Sequence, residues 1–333
     1  MILNEHKKHT ALTRPAMGAF GRNEWGVLGA PCSEIKALAQ DIIRALSPLF
    51  RIAYVDARHS DDGTGLPAFL ANGAVAAYTD CLNHRQISFN GAMEPFQNRM
   101  FLNEADLILI NSNHHAAQKQ VVVIDSRKKT SLQKRLAQLT GVRLFLLAEG
   151  ENDIFDFVKS AVPYWQQVPV LRLNETAGIV SFIKNEILLA KPPLNGLVLA
   201  GGRSERMGVD KGSINWHGKP QRYYMADLLQ TYCDPEYVSC REGQQPEIDA
   251  AYATLPDTFT GLGPYGAILS ALRYQPGSAW LVVACDLPLL DGPALAELVA
   301  NRNSSAVATA FKSPHDDLPE PLIAIWEPKS YPV

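Results

Sequence analysis

In the second half of this 333-residue chain, two adjacent glycines are followed within ten residues by three cations and a hydroxyl. The run is Gly201-Gly202-Arg203-Ser204-Glu205-Arg206-Met207-Gly208-Val209-Asp210-Lys211. Paired glycines let the backbone turn sharply and bring its N–H groups close to phosphate oxygens. Arg203, Arg206 and Lys211 add positive charge, and Ser204 adds a donor. The apolar LNGLVLA (194–200) leads straight into the loop. A strand there would deliver it at its carboxyl end, where open α/β sheets bind ligands. Asp286 closes the apolar WLVVAC in the same way, so its carboxylate is expected to project into the same crevice; Asp257 follows TLP. The loop is neither a Walker A element nor a dinucleotide fingerprint, since G-x-x-x-x-G-K-[ST] and G-x-G-x-x-G are both absent.

LAGGRSERMGVDKG is similar to the signature of molybdenum-cofactor guanylyltransferases and their relatives among the nucleotidyltransferases. The resemblance continues in order. HGKP (217–220) precedes a helical RYYMADLLQTY, and Asp257 comes next. Gly263-Pro264-Tyr265-Gly266-Ala267 leads into ILSAL, WLVVACDLPLL carries Asp286, and PLIAIWEP (321–328) matches a later strand. It implies a Rossmann-like nucleotidyltransferase fold over 194–333, related to nucleotide-diphospho-sugar transferases. It also implies transfer of GMP from GTP to molybdopterin, with pyrophosphate leaving. Such transfers depend on positioning and charge neutralisation more than on a covalent protein group. In that reading Lys211 and Arg206 stabilise the developing charge. Gly201, Gly202, Arg203, Ser204, Met207 and Gly208 cradle the triphosphate, and Leu199 and Ala200 line the base pocket. Asp257 contacts nucleotide or metal, Gly263 and Gly266 allow close approach to base or ribose, and the helix after them turns its N-terminal donors inward. Asp286 holds Mg²⁺, which takes carboxylate and phosphate oxygens. A molybdoenzyme or its chaperone is the implied recipient of the product.

Two features depart from the family pattern. Relatives carry Asn in a Ser-x-Asn-Arg run, whereas this chain reads Ser239-Cys240-Arg241-Glu242. Arg241 leaves open cytidylyl or sugar-phosphate transfer to another acceptor. The family pattern also has further helices and an Asn-Thr-Pro motif beyond PLIAIWEP, so the domain is expected to be shortened at its C-terminus.

The remaining elements must position this loop. Residues 20–165 read as an α/β domain. Its first strand is WGVLGA, and a helix follows with Ile35, Leu38, Ala39, Ile42, Ile43 and Leu46 on one face and Ser33 as N-cap. Apolar runs recur at FRIAYVDA, ADLILINSN, QVVVIDS and VRLFLLAEG, with a basic helix KTSLQKRLAQL before the last, giving two three-layer α/β domains in all. Residues 166–193 read as a connector with one helix over 176–189, closed by Lys191-Pro192-Pro193.

VLGAPCSEIKALAQDII occupies the place of a P-loop. Glu34 stands at its second glycine and Ile35 at its lysine, which argues against NTP hydrolysis there. The layout resembles the small P-loop adaptor that accompanies guanylyltransferases, in degenerate form, and admits a non-enzymatic nucleotide-binding scaffold. Asn111, Asn113, His114 and His115 follow ADLILI and read as a solvated loop before a pocket lining. His217 and His315 read as surface residues.

Thirty-one Lys and Arg against 34 Asp and Glu give a net charge of -3, which argues against a dedicated nucleic-acid binder. Five scattered cysteines, with no C-x-x-C pair, indicate neither a disulfide framework nor a zinc site, and a reduced cytoplasmic compartment fits them. No apolar run is long enough for a membrane span, and the polar N-terminus lacks the apolar centre of a signal peptide.

Overall fold

The computed structural model describes residues 17–57, 67–201 and 211–331. They form two compact units, one over Met17–Leu189 and one beginning at Ala190. Among the described residues no helix is long and apolar enough to cross a membrane.

The first unit is a six-stranded, all-parallel sheet. In chain order its elements begin with β1 (Glu24–Leu28), α1 (Cys32–Leu46) and β2 (Ile52–Val55). A short α2 (Ala68–Ala71), a hairpin of β3 (Ala76–Asp80) and β4 (Arg85–Phe89), and α3 (Pro95–Leu102) come next. The unit continues through β5 (Leu107–Asn111), β6 (Lys119–Ile124), α4 (Lys129–Gln133), β7 (Val142–Leu147), α5 (Asp156–Ala161), β8 (Val170–Arg172) and α6 (Thr176–Leu189). The strand order is β2-β5-β1-β6-β7-β8, and the hairpin stands apart as its own two-stranded sheet. The runs LILI, VVVI and LFLL are apolar throughout because helices cover both faces of a parallel sheet.

The segment 166–193, read from sequence as a connector, is mostly part of this unit. Its β8 pairs with β7, and Ile179, Ile183 and Ile187 of α6 share a buried core with Ile35, Leu38 and Ile42 of α1. Apolar residues spaced by four fix α6 there. Ser33 lies inside α1, and extended Pro31 takes the cap position before Cys32. The basic helix is also shorter than its sequence suggested, because only Leu132 on α4 is buried to anchor it.

The second unit comprises β9 (Leu194–Leu199), α7 (Gln221–Gln230), β10 (Glu236–Cys240), β11 (Thr254–Pro256), α8 (Pro264–Tyr274), β12 (Ala279–Ala284), α9 (Gly292–Ala300), β13 (Ala308–Lys312) and β14 (Pro319–Trp326). Its strand order is β11-β10-β9-β12-β14-β13. β9, β10, β11 and β12 run parallel, while β14 is antiparallel to both β12 and β13. After β9 the chain winds outward through β10 and β11, then crosses back to lay β12 on the other flank of β9. The order therefore reverses between β9 and β12, the place where doubly wound sheets open a ligand crevice. Arg302, whose side chain is 6% exposed, donates through Nε and an Nη to both carboxylate oxygens of fully buried Glu327 (2.7 and 3.0 Å) and through the same Nη to the Pro192 carbonyl (2.8 Å).

Candidate functional site

A cleft of about 1050 Å³ lies along the carboxyl ends of β9, β10, β11 and β12. Single small-molecule sites run to about 1,000 Å³, so there is room for a nucleotide and part of a second substrate. Leu199, Ala200 and Gly201 enter from β9, Ser239 and Arg241 from β10, Asp257 from β11, and Ala284, Cys285 and Asp286 from β12. Lys211 and Gly263 complete the set of sequence-derived residues that line it. Gly202, Arg203, Ser204, Arg206, Met207 and Gly208 lie outside the described residues.

Lys211 and Asp286 are 75 positions apart in sequence, yet Lys211 Nζ donates to Asp286 Oδ2 at 2.9 Å. Both side chains are close to half exposed, so this is a wet ion pair at the mouth of the cleft. A second tie reinforces it. His217 Nε2 donates to the Pro288 carbonyl at 2.8 Å, and its ring stacks on Tyr224 at 3.9 Å between centroids. His217 is exposed, as its sequence context suggested, but it fastens the segment after Lys211 to the turn after Asp286.

Asp257 sits deeper. Its backbone N–H donates to the Cys240 carbonyl (2.8 Å), and Ser239 Oγ donates to Asp257 Oδ1 (3.0 Å). Burial raises the Asp257 carboxyl above the ordinary range, and the Ser239 hydroxyl pulls it back down. The neighbouring Cys240 thiol is pushed up to about 11, by burial first and then by the Asp257 charge, so it stays protonated and inert at neutral pH. A methyl group added at Gly201 would lie 3.1 Å from Asp257 Oδ2 and 3.5 Å from the Arg241 nitrogen. A larger residue here would press on the Asp257 carboxylate, so glycine keeps the end of β9 close against β10 and Asp257.

The two later glycines have different reasons. Gly263 has φ +56°, a left-handed conformation, and caps α8 with open space around it. A Cβ on Gly266 would stand 2.2 Å from the Phe259 carbonyl oxygen, so that glycine allows α8 to pack on its own preceding loop. Gly266 does not line the cleft. The start of α8 is also poor in free donors, since Pro264 has no N–H and the Gly266 N–H is taken by the Gly263 carbonyl.

Sequence reasoning missed Gln244, Glu247, Phe259 and Thr260, which also line the cleft. Gln244 accepts from the Arg241 N–H through Oε1 (3.2 Å) and donates its own N–H to the Arg241 carbonyl (3.0 Å), fixing the turn that presents Arg241. The only sequence signal for them was their place after the carboxyl ends of β10 and β11.

The cleft thus combines a lysine, a half-exposed carboxylate, a buried carboxylate and a close-approach glycine. It suits a polyphosphate ligand accompanied by a hard cation. Among the described residues no group of three His, Cys, Asp or Glu could hold a metal ion by itself.

The profile described as the MobA-like NTP transferase domain matches residues 196–332. The molybdenum cofactor biosynthesis bifunctional protein of Synechocystis sp. is 38% identical over 141 residues, covering 42% of this chain and 41% of that protein. The molybdenum cofactor guanylyltransferase of Pseudomonas fluorescens (strain Pf0-1) is 33% identical over 141 residues, covering 40% of this chain and 68% of that protein. Among solved structures, a MobB protein homolog from Bacillus stearothermophilus is 18% identical with a TM-score of 0.35, covering 50% of this chain and 99% of that one. The chain spans 41%, 59% and 64% of the length of three of its curated relatives.

Proposed function

Because the chain belongs to the molybdenum cofactor guanylyltransferase family, we propose that its second unit transfers GMP from GTP to molybdopterin and releases pyrophosphate. One observation carries this reading above the others: Gly201, Lys211, Asp257 and Asp286 converge on one cleft at the reversal point of the sheet.

Lys211 leaves Asp286 for the triphosphate oxygens and stabilises charge as the bond to the α-phosphorus changes, and Arg206, from the same sequence run, adds to that charge. Asp286 would hold Mg²⁺, whose charge, when bound, offsets that of the phosphates. The residues fit that ion. A single half-exposed carboxylate, already facing a cation, suits a metal that takes its other ligands from water and phosphate. Asp257, kept in place by Ser239, would contact the nucleotide or the metal, and Leu199 and Ala200 would receive the base. Cytoplasmic conditions would keep the five free cysteines reduced, and the product would pass to a molybdoenzyme or its chaperone.

Thermal stability with Mg²⁺ and each of GTP, CTP, ATP and UTP tests the assignment. A ligand at a hundredfold excess over its Kd adds about 2.7 kcal/mol of stability. GTP alone should raise the midpoint, and Asp286→Ala should abolish the rise. Arg241, which lines the cleft in the place where the family resemblance often has Asn, keeps open a second reading, cytidylyl transfer. A larger rise with CTP would select it.

A further inference from the structure

The first unit carries a second constellation, at the carboxyl edge of its own sheet. Cys32, half-buried, opens the fifteen-residue α1 directly after β1. Its Sγ lies 3.4 Å from His114 Nε2 and receives Asn113 Nδ2 at 3.6 Å. The same His114 Nε2 lies 3.7 Å from Asp56 Oδ1, and the imidazole side chain is 10% exposed. Asn111, fully buried, donates through Nδ2 to Asp56 Oδ1 (2.9 Å), and Tyr54 donates to Asp56 Oδ2 (2.8 Å). Asn113 is oriented by accepting from the Gly29 N–H through Oδ1 (3.4 Å) and donating to the Ala30 carbonyl (2.9 Å). The 111–115 segment, read from sequence as a solvated loop, is thus built inward around one sulfur. His114 Nε2 is thus within reach of the Cys32 sulfur, with the fixed Asp56 carboxylate near that same nitrogen, which places a proton acceptor beside a nucleophile.

We propose that Cys32 is a nucleophilic thiol, with His114 as its proton acceptor, that takes a small uncharged electrophile of the hydroperoxide class. His114 Nε2 takes the thiol proton as the sulfur attacks a peroxide oxygen, and the O–O bond breaks. The leaving oxygen takes that proton from His114 and departs as an alcohol or water. Cys32 is oxidised by two electrons to the sulfenic acid, and the peroxide is reduced. Asp56, 3.7 Å from His114 Nε2, stabilises the imidazolium by its charge, and the same charge disfavours anionic reagents. The Asn113 amide faces the sulfur at 3.6 Å, and Cys32 stands at the first position of α1. Among the described residues, Asp56 from the end of β2 is a charged group in contact with the pair, while Glu34 on α1 is tied to Arg127, which also binds Asp125 after β6.

The test uses the full chain and reads each cysteine by peptide mass. Half-buried Cys81 serves as an internal reference, while Cys233, Cys240 and Cys285 are buried. At neutral pH iodoacetamide should label Cys32 at least tenfold faster than Cys81, and iodoacetate should show a clearly smaller advantage. His114→Gln should bring the two iodoacetamide rates within about threefold. Asp56→Asn should raise the iodoacetate rate relative to iodoacetamide, which loss of packing alone would not do. Dilute hydrogen peroxide with dimedone should tag Cys32 before Cys81. The proposal is overturned if wild-type Cys32 reacts no faster than Cys81, a comparison that needs no variant to fold. It is equally overturned if His114→Gln leaves the Cys32 rate unchanged.

Discussion

Replacing Lys211 by alanine should move two properties of the second unit in opposite directions. The ion pair it forms with Asp286 is 2.9 Å long, with side chains 40% and 48% exposed. Exposed pairs of this kind contribute about 0–1 kcal/mol. Lys211→Ala should therefore lower the melting temperature by no more than about 4 °C. In the absence of nucleotide, the same change frees the Asp286 carboxylate. A divalent cation no longer competes with Nζ, so its affinity should rise, by up to about fivefold if the full 1 kcal/mol is recovered. Catalysis should fall instead, because losing one charged donor to a developing negative charge costs about 10²–10³ in kcat. Mn²⁺ titration followed by electron paramagnetic resonance, with nucleotide absent, reads the first effect; pyrophosphate release reads the second. Unchanged or weaker Mn²⁺ binding in Lys211→Ala would refute the assignment of Asp286 as a metal carboxylate guarded by Lys211. Retained turnover would refute the role given to Lys211.

Asp257→Asn should separate stability from binding. Burial raises the folded-state carboxyl of Asp257, so the folded chain holds that proton more tightly than the unfolded one. Stability from the protonated form is complete below the unfolded value of about 3.9 and is lost as pH rises through the folded value. The variant should accordingly be at least as stable as wild type at pH 7 in urea melts, with the advantage vanishing near pH 3.5, and should lose the nucleotide-induced thermal shift. Gly266→Ala should destabilise by about 1–3 kcal/mol in the same melts, because its Cβ would stand 2.2 Å from a backbone oxygen that cannot swing away. Arg302→Leu should cost about 3–5 kcal/mol, since it leaves buried Glu327 without its partner; a loss below 1 kcal/mol would show that water reaches that carboxylate. Arg241→Asn should shift the ranking of GTP and CTP in thermal-shift titrations, and an unchanged ranking would remove Arg241 from base selection.

The second unit could be read from its sequence because its chemistry is local. A strand ending in glycines, and strands ending at Asp257 and Asp286, place those side chains on one edge once the sheet is parallel. What pattern alone did not supply was the partner of each group. The Lys211–Asp286 pair joins residues 75 positions apart, and Gly266 owes its identity to a carbonyl seven residues earlier. The hairpin of β3 and β4 went unread because its alternation is weak, and its strands have no buried face to enforce one. The 176–189 helix was found but given no home, since its packing on α1 is a tertiary fact. The Asn111–His115 segment misled for a related reason. Polar residues at the end of a strand read as solvated until the fold turns them toward a single thiol and carboxylate.

GMP transfer by the second unit is read by incubating the chain with Mg²⁺, molybdopterin and GTP labelled at the α-phosphorus, then following the label and pyrophosphate together. Label should appear on the acceptor as a dinucleotide, with one pyrophosphate released per transfer, and Asp286→Ala should abolish both. Nucleotide binding with no label transferred from GTP or from any other triphosphate would contradict it and leave a nucleotide-binding scaffold in its place.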